Sequence, residues 1–119
     1  METTNIKIKS SKIRLIFYIS IFLILVFSII EFNLTLLSFS NDKLIHLLVF
    51  LYLSITALLS DFKINIWFLY FILIFYGFII EVLQSFLPYR FFELNDLLMN
   101  IIGVTIAFFF YYKKDKKNY

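Results

Sequence analysis

Residues Ile66–Leu87, IWFLYFILIFYGFIIEVLQSFL, decide the class of this chain. Across these positions the only charged side chain is Glu81, and the run stops at Pro88, which cannot continue a helix comfortably. About 20 predominantly apolar residues suffice to carry a helix across a bilayer, so this stretch reads as a transmembrane helix. The remainder of the chain agrees with it. Of its 119 residues 62% are hydrophobic and 22% aromatic, and the mean hydropathy is +0.93. Soluble domains average roughly 45–50% apolar residues, so the bilayer is the relevant solvent.

Working outward, three further apolar runs are visible. The first extends from Leu15 to about Leu37 behind Lys7, Lys9, Lys12 and Arg14. It is too long for the apolar core of a signal peptide and has no clear small-x-small cleavage site, so it reads as a retained helix. The second covers about Leu44 to Leu59, with Asn41 as a candidate N-cap. The fourth covers about Asp96 to Tyr112 and closes at Lys113 and Lys114. Short connections favour antiparallel neighbours, and no internal repeat or linker divides the chain. The expected fold is therefore an all-α four-transmembrane-helix bundle at positions 15–112. A basic segment at 1–14 precedes it, and a basic tail at 113–119 follows.

Orientation follows from the basic residues. With an even number of spans both termini share a side. That side holds nine of the eleven Lys and Arg residues, namely Lys7, Lys9, Lys12, Arg14, Lys63, Lys113, Lys114, Lys116 and Lys117; Lys43 and Arg90 lie opposite. Both termini are expected in the cytoplasm. The uniformly apolar runs lack the amphipathic faces of a hairpin lying on the membrane surface. The formal charge of +3 is accounted for by this topology, so no nucleic-acid partner is expected. The absence of cysteine excludes disulfides, thiolate metal sites and a cysteine nucleophile. Two glycines cannot build a glycine-rich phosphate loop.

The remaining polar residues collect in the outer half. Glu31, Asp42, Lys43, His46, Glu81, Gln84, Arg90, Glu93, Asp96 and Asn100 all fall there. An ionisable group in a span costs at least about 2.5–3.5 kcal/mol at the centre, so it faces a partner or a wet cavity. Asp42 and His46 are one turn apart on one face. Gly77, Glu81 and Gln84 share a face at 100° per residue, and Asp96, Asn100, Gly103 and Ala107 form one stripe. Glu81 lies roughly 10 Å below the outer helix end at 1.5 Å per residue. Each group also has a plain structural role open to it. Lys43, Arg90 and Glu93 suit solvated loops, Asp42 and Asp96 complement helix N-termini, and Asn100 and His46 suit interhelical hydrogen bonds. Gly103 and Ala107 suit close helix packing. Glu81 is hardest to place structurally, because a carboxyl so deep needs a proton, a cation or a donor.

The ordered set Asp42-Lys43-x-x-His46, Gly77-x-x-x-Glu81-x-x-Gln84, Pro88-x-Arg90 and Asp96-x-x-x-Asn100-x-x-Gly103 resembles the VanZ-like family of bacterial membrane proteins. The resemblance covers the last three helices, about two-thirds of the chain. It departs at Ala107, where the family often has a second glycine. It implies a bacterial cytoplasmic membrane location, in keeping with the Phe-, Ile-, Lys- and Asn-rich usage. The family takes its name from a protein associated with resistance to teicoplanin, which acts outside the membrane on wall precursors. Action on, or binding of, a cell-envelope amphiphile such as a lipid-linked wall precursor, or of an external ligand, is therefore expected, with a contribution to teicoplanin resistance as the family's name implies. In an enzymatic version His46 is the general acid/base, imidazole being the side chain best suited in general to proton transfer around neutrality, and Asp42 orients it. Glu81 is the second acid/base group, and Asp96 is placed with these as a further acid/base or orienting carboxylate. Lys43 and Arg90 hold a phosphate or carboxylate, with Gln84, Glu93 and Asn100 completing the binding set. No cofactor is expected; a divalent cation on Glu81, Asp96 and Asn100 is the one metal arrangement considered. A small proton-coupled transporter and a non-catalytic structural or regulatory membrane subunit are the alternatives, and an oligomer is compatible with each reading.

Overall fold

The computed structural model describes residues 2–30 and 39–117, with the side chains of 39–41 excepted. Four helices follow one another: α1 (Glu2–Ile29), α2 (Phe39–Leu59), α3 (Ile66–Ser85) and α4 (Leu94–Lys117). Each is long and apolar enough to cross a membrane. No strand occurs among the described residues. The bundle is elongated, 52 × 25 × 25 Å. One end gathers the C-termini of α1 and α3 with the N-termini of α2 and α4, here termed the His46 end. The other, the Arg14 end, carries the α2–α3 turn.

Local chemistry sets several of these boundaries. Asn65 caps α3, its side chain accepting from the Trp67 N–H at 2.8 Å with extended backbone (φ −61°, ψ 134°). At the other end Phe86 N–H returns to Leu83 O and Leu87 N–H to Gln84 O, and Pro88 lies just beyond. The helix thus ends at Ser85, two residues before the expected Leu87. Asp61 follows α2 in the left-handed region (φ 53°), which Asp tolerates better than most residues. The carbonyl of Glu93 accepts from Asp96 and Leu97 N–H, so Glu93 opens α4.

Helix α1 begins at Glu2 rather than Leu15 and takes in the basic segment; it stops at Ile29, and the expected continuation at 31–37 lies outside the described residues. Helix α2 starts at Phe39, which places Asn41 inside the helix and removes it as an N-cap. Helix α4 continues through the lysine-rich tail to Lys117, five residues past Tyr112. Lysine is a good helix former, so charge ends the apolar run without ending the helix.

The most extensive interface is between α2 and α4, with α3 packed on α4 and α1 on α2 and α3. Its closest point is Gly103, where an added Cβ would lie 2.5 Å from Leu47 O and 3.0 Å from Leu51 N. Only a residue without a side chain permits that approach. Phe50, Leu53, Leu73, Ile80 and Val104 fill the interior. The outward surface is apolar as well: Phe22, Phe68, Phe71 and Phe75 are all about three-fifths exposed. A soluble monomer rarely carries such a surface, whereas lipid solvates it without cost.

At the Arg14 end a side chain of α1 is tied to the end of α2. Arg14 donates from Nε (3.2 Å) and Nη2 (3.0 Å) to Ser60 O, and its guanidinium lies 5.7 Å from the Phe62 ring centroid. Ser60 O belongs to the end of α2, where carbonyls lack intrahelical donors and a cation is favoured. The half of α2 toward this end is not uniformly apolar: Ser54, Thr56 and Ser60 are buried there. Thr56 and Ser60 return their hydroxyls to their own helix, at Leu53 O and Thr56 O.

Candidate functional site

Three helices bring their polar residues together at the His46 end. The His46 ring, projecting from α2, is the hub. Its Nδ1 lies 3.0 Å from Asn100 Oδ1 on α4 and 3.6 Å from Glu81 Oε1 on α3. An amide oxygen only accepts, so Nδ1 carries the proton and donates to Asn100. On the far side of the ring, Nε2 lies 3.6 Å from Asp96 Oδ2 and 4.0 Å from Asp42 Oδ2. Beside this hub, Lys43 Nζ contacts Glu93 Oε2 at 3.2 Å and Asp96 Oδ1 at 3.4 Å, closing the start of α4 onto α2.

Burial separates these groups into two tiers. Glu81 and Asn100 are fully enclosed, at 0% and 1% exposure, behind the imidazole. Gly77 makes room for them: a Cβ there would meet the Phe50 ring at 3.1 Å and Asn100 Cβ at 3.3 Å. Neither oxygen of Glu81 accepts a hydrogen bond, and Asn100 Nδ2 also lacks an acceptor. Unmade hydrogen bonds in such places cost roughly 1–3 kcal/mol per group and mark sites where something else supplies the compensation. Asp42, Lys43, Arg90 and Glu93 are only partly buried.

In front of the imidazole is a cavity of about 470 Å3, within the range of ligand-binding pockets. Asp42, His46, Gln84 and Arg90 line its polar part, and Leu23, Ile24, Phe27, Val49, Phe50 and Ile80 its apolar part. Along α2 its lining runs from Asp42 to Tyr52, roughly 15 Å at 1.5 Å per residue. Gln84 uses its amide to donate to Ser28 O (3.1 Å), so it fixes α1 to α3 as well as facing the cavity. Tyr89 similarly donates to Ile29 O (2.6 Å). Among the described residues the Arg90 guanidinium makes no ion pair.

The arrangement differs from the sequence-based expectation in two ways. Of the expected site residues Asp42, His46, Gln84 and Arg90 line the cavity, whereas Lys43, Glu81, Glu93, Asp96 and Asn100 do not. Helix α1, which carries no charge beyond Arg14 among its described residues, supplies one wall through Ser20, Leu23, Ile24, Phe27 and Ser28. Ser20 and Ser28 within its apolar run are the signal there: Ser20 Oγ pairs with Tyr52 Oη at 2.9 Å, and Ser28 provides the carbonyl for Gln84. Glu31 lies outside the described residues.

A protein-family model described as VanZ/LLP1 matches residues 2–114, nearly the whole chain. The chain belongs to the VanZ-like family. Helix α1 falls inside the match, so the family relationship reaches beyond the polar motifs of α2 to α4. With its four long apolar helices, this VanZ-like chain is a membrane protein. No curated protein and no solved structure matches it.

Proposed function

We infer that this VanZ-like protein lies in the bacterial cytoplasmic membrane with both termini inside, and that its cavity takes an anionic envelope amphiphile from the outer side. The single observation that carries this reading is the composition of the cavity wall. A polar head region made by Arg90, His46, Asp42 and Gln84 is continuous with an apolar slot between α1, α2 and α3. Arg90 has a planar fork of donors suited to phosphate or carboxylate. The slot suits an acyl or polyprenyl chain, so a lipid-linked wall precursor is a candidate occupant. The lysine and arginine distribution supports the orientation.

The test is retention of lipid by the purified protein. Native mass spectrometry of wild type should show a bound anionic amphiphile. Arg90→Ala should weaken retention by about tenfold or more, the scale of a charge-assisted hydrogen bond. Val49→Trp, which fills the slot, should abolish retention. Equal retention by all three proteins contradicts the reading.

Two narrower proposals share the site. A role in teicoplanin resistance would appear as protection of a sensitive Gram-positive host by wild type but not by Glu81→Gln at matched abundance. Proton-coupled transport has less support, because Leu53, Leu73 and Val104 close the interior below the cluster at 0–1% exposure. A flux across proteoliposomes would favour it.

A further inference from the structure

We propose that Asp42 Oδ2, His46 Nε2 and Asp96 Oδ2 form a binding site for one divalent transition-metal ion, with its open coordination position toward the cavity. The inference rests on the geometry of the cluster and stands whether or not the cavity takes an amphiphile.

The distances around Nε2 are the first argument. At 3.6 Å and 4.0 Å, Asp96 and Asp42 are too far for hydrogen bonds to the ring nitrogen. They are right for two atoms sharing an ion with it. Metal bonds of about 2.0–2.2 Å to His N and carboxylate O place tetrahedral ligand atoms roughly 3.4 Å apart. The three ligand atoms lie within 4.8 Å of one another, which allows an ion to touch all of them after small side-chain adjustments. Asp96 is divided between two partners: Oδ1 faces Lys43 and Oδ2 faces the imidazole.

The other side of the ring supports the same site. Nδ1 donates to Asn100 Oδ1, so in the neutral imidazole the lone pair is on Nε2, directed at the two aspartates. Fully buried Glu81, with both oxygens lacking a donor, places Oε1 3.6 Å from the same Nδ1. Metal-bound histidines commonly give their second N–H to a carboxylate or carbonyl, which fixes the ring and raises its basicity. Asn100 Oδ1 occupies that position, with the Glu81 carboxyl beside it. Charge points the same way. Among the described residues the carboxylates Asp42, Glu93 and Asp96 outnumber the fixed cations Lys43 and Arg90 at this end, a deficit that a bound cation would offset.

One nitrogen and two carboxylates suit Zn2+ or Mn2+, whereas Mg2+ and Ca2+ prefer all-oxygen sites. Three protein ligands leave a position free, as in catalytic rather than structural zinc sites. Asp42 and His46 both line the cavity, so that position faces the proposed head-group region. In this arrangement His46 is a ligand and no longer a proton carrier, and Asn100 is a positioning residue.

The test uses the full chain in nanodiscs, stripped with chelator and then equilibrated with Zn2+ or Mn2+. After desalting, wild type should retain about one ion per chain, as a three-ligand site requires. Asp96→Asn and His46→Gln should lose retention, and Asn100→Leu, which removes the acceptor of the Nδ1 proton, should weaken it by about 10–100-fold, the usual effect of removing the partner of a metal-bound histidine. Because His46 is the sole histidine, pulsed EPR of Mn2+-loaded wild type checks the site without any variant. Imidazole nitrogen coupling is expected. Absence of stoichiometric binding by folded wild type, absence of that coupling, or undiminished binding by Asp96→Asn and His46→Gln would each overturn the proposal.

Discussion

Glu81 concentrates the question at the scale of single residues, since it is wholly enclosed and neither oxygen receives a hydrogen bond. A neutral amide of the same shape is cheaper to bury than a carboxylate. Glu81→Gln should therefore insert and fold at wild-type abundance while losing the properties of the site. Quantitative blotting of membranes alongside ligand retention checks this, and a fall in abundance would contradict it. Arg14 offers the converse case, a residue whose role is to hold the fold. Arg14→Lys keeps the charge but loses the two-pronged bond to Ser60 O. It should lower stability by about 1–2 kcal/mol, with no change in retained ligand, as read from denaturant unfolding in detergent. The pairing of Asp42 with His46 was legible in sequence because they are one helical turn apart. The contacts of Lys43 with Glu93 and Asp96 were not, since those partners lie about fifty positions away and only the fold joins them.

Elements depend here on small residues at crossings. Gly103→Ala would force a Cβ against the backbone of α2, which cannot move alone. A loss of about 1–3 kcal/mol is expected, the scale of overpacking. Gly77→Ala meets instead the edge of the Phe50 ring and Asn100 Cβ, which can give by a few tenths of an ångström. It should cost less stability than Gly103→Ala, yet disturb the site more, because Asn100 anchors His46. Thermal melts of both variants, compared with their ligand retention, check the contrast. The body of α3 was legible from the apolar run that Pro88 closes, whereas the Asn65 cap is a contact that only the folded helix displays. The start of α1 and the end of α4 were not, because lysines interrupt hydropathy without interrupting a helix.

For the molecule as a whole, four spans followed from four apolar runs, but their arrangement did not. Nothing in α1 beyond two serines marks it as a wall of the cavity, since apolar side chains facing lipid and facing a slot look alike in sequence. The central claim at this scale is that the site opens on the non-cytoplasmic side, and its first requirement is topological. The chain has no cysteine, so single cysteines can be introduced on a silent background. Phe91→Cys, in the connection at the His46 end, and Lys63→Cys, in the turn at the Arg14 end, are both highly exposed positions. A membrane-impermeant maleimide applied to intact cells should label Phe91→Cys at once and Lys63→Cys only after permeabilisation. The reverse pattern would place the polar cavity on the cytoplasmic side and contradict the account.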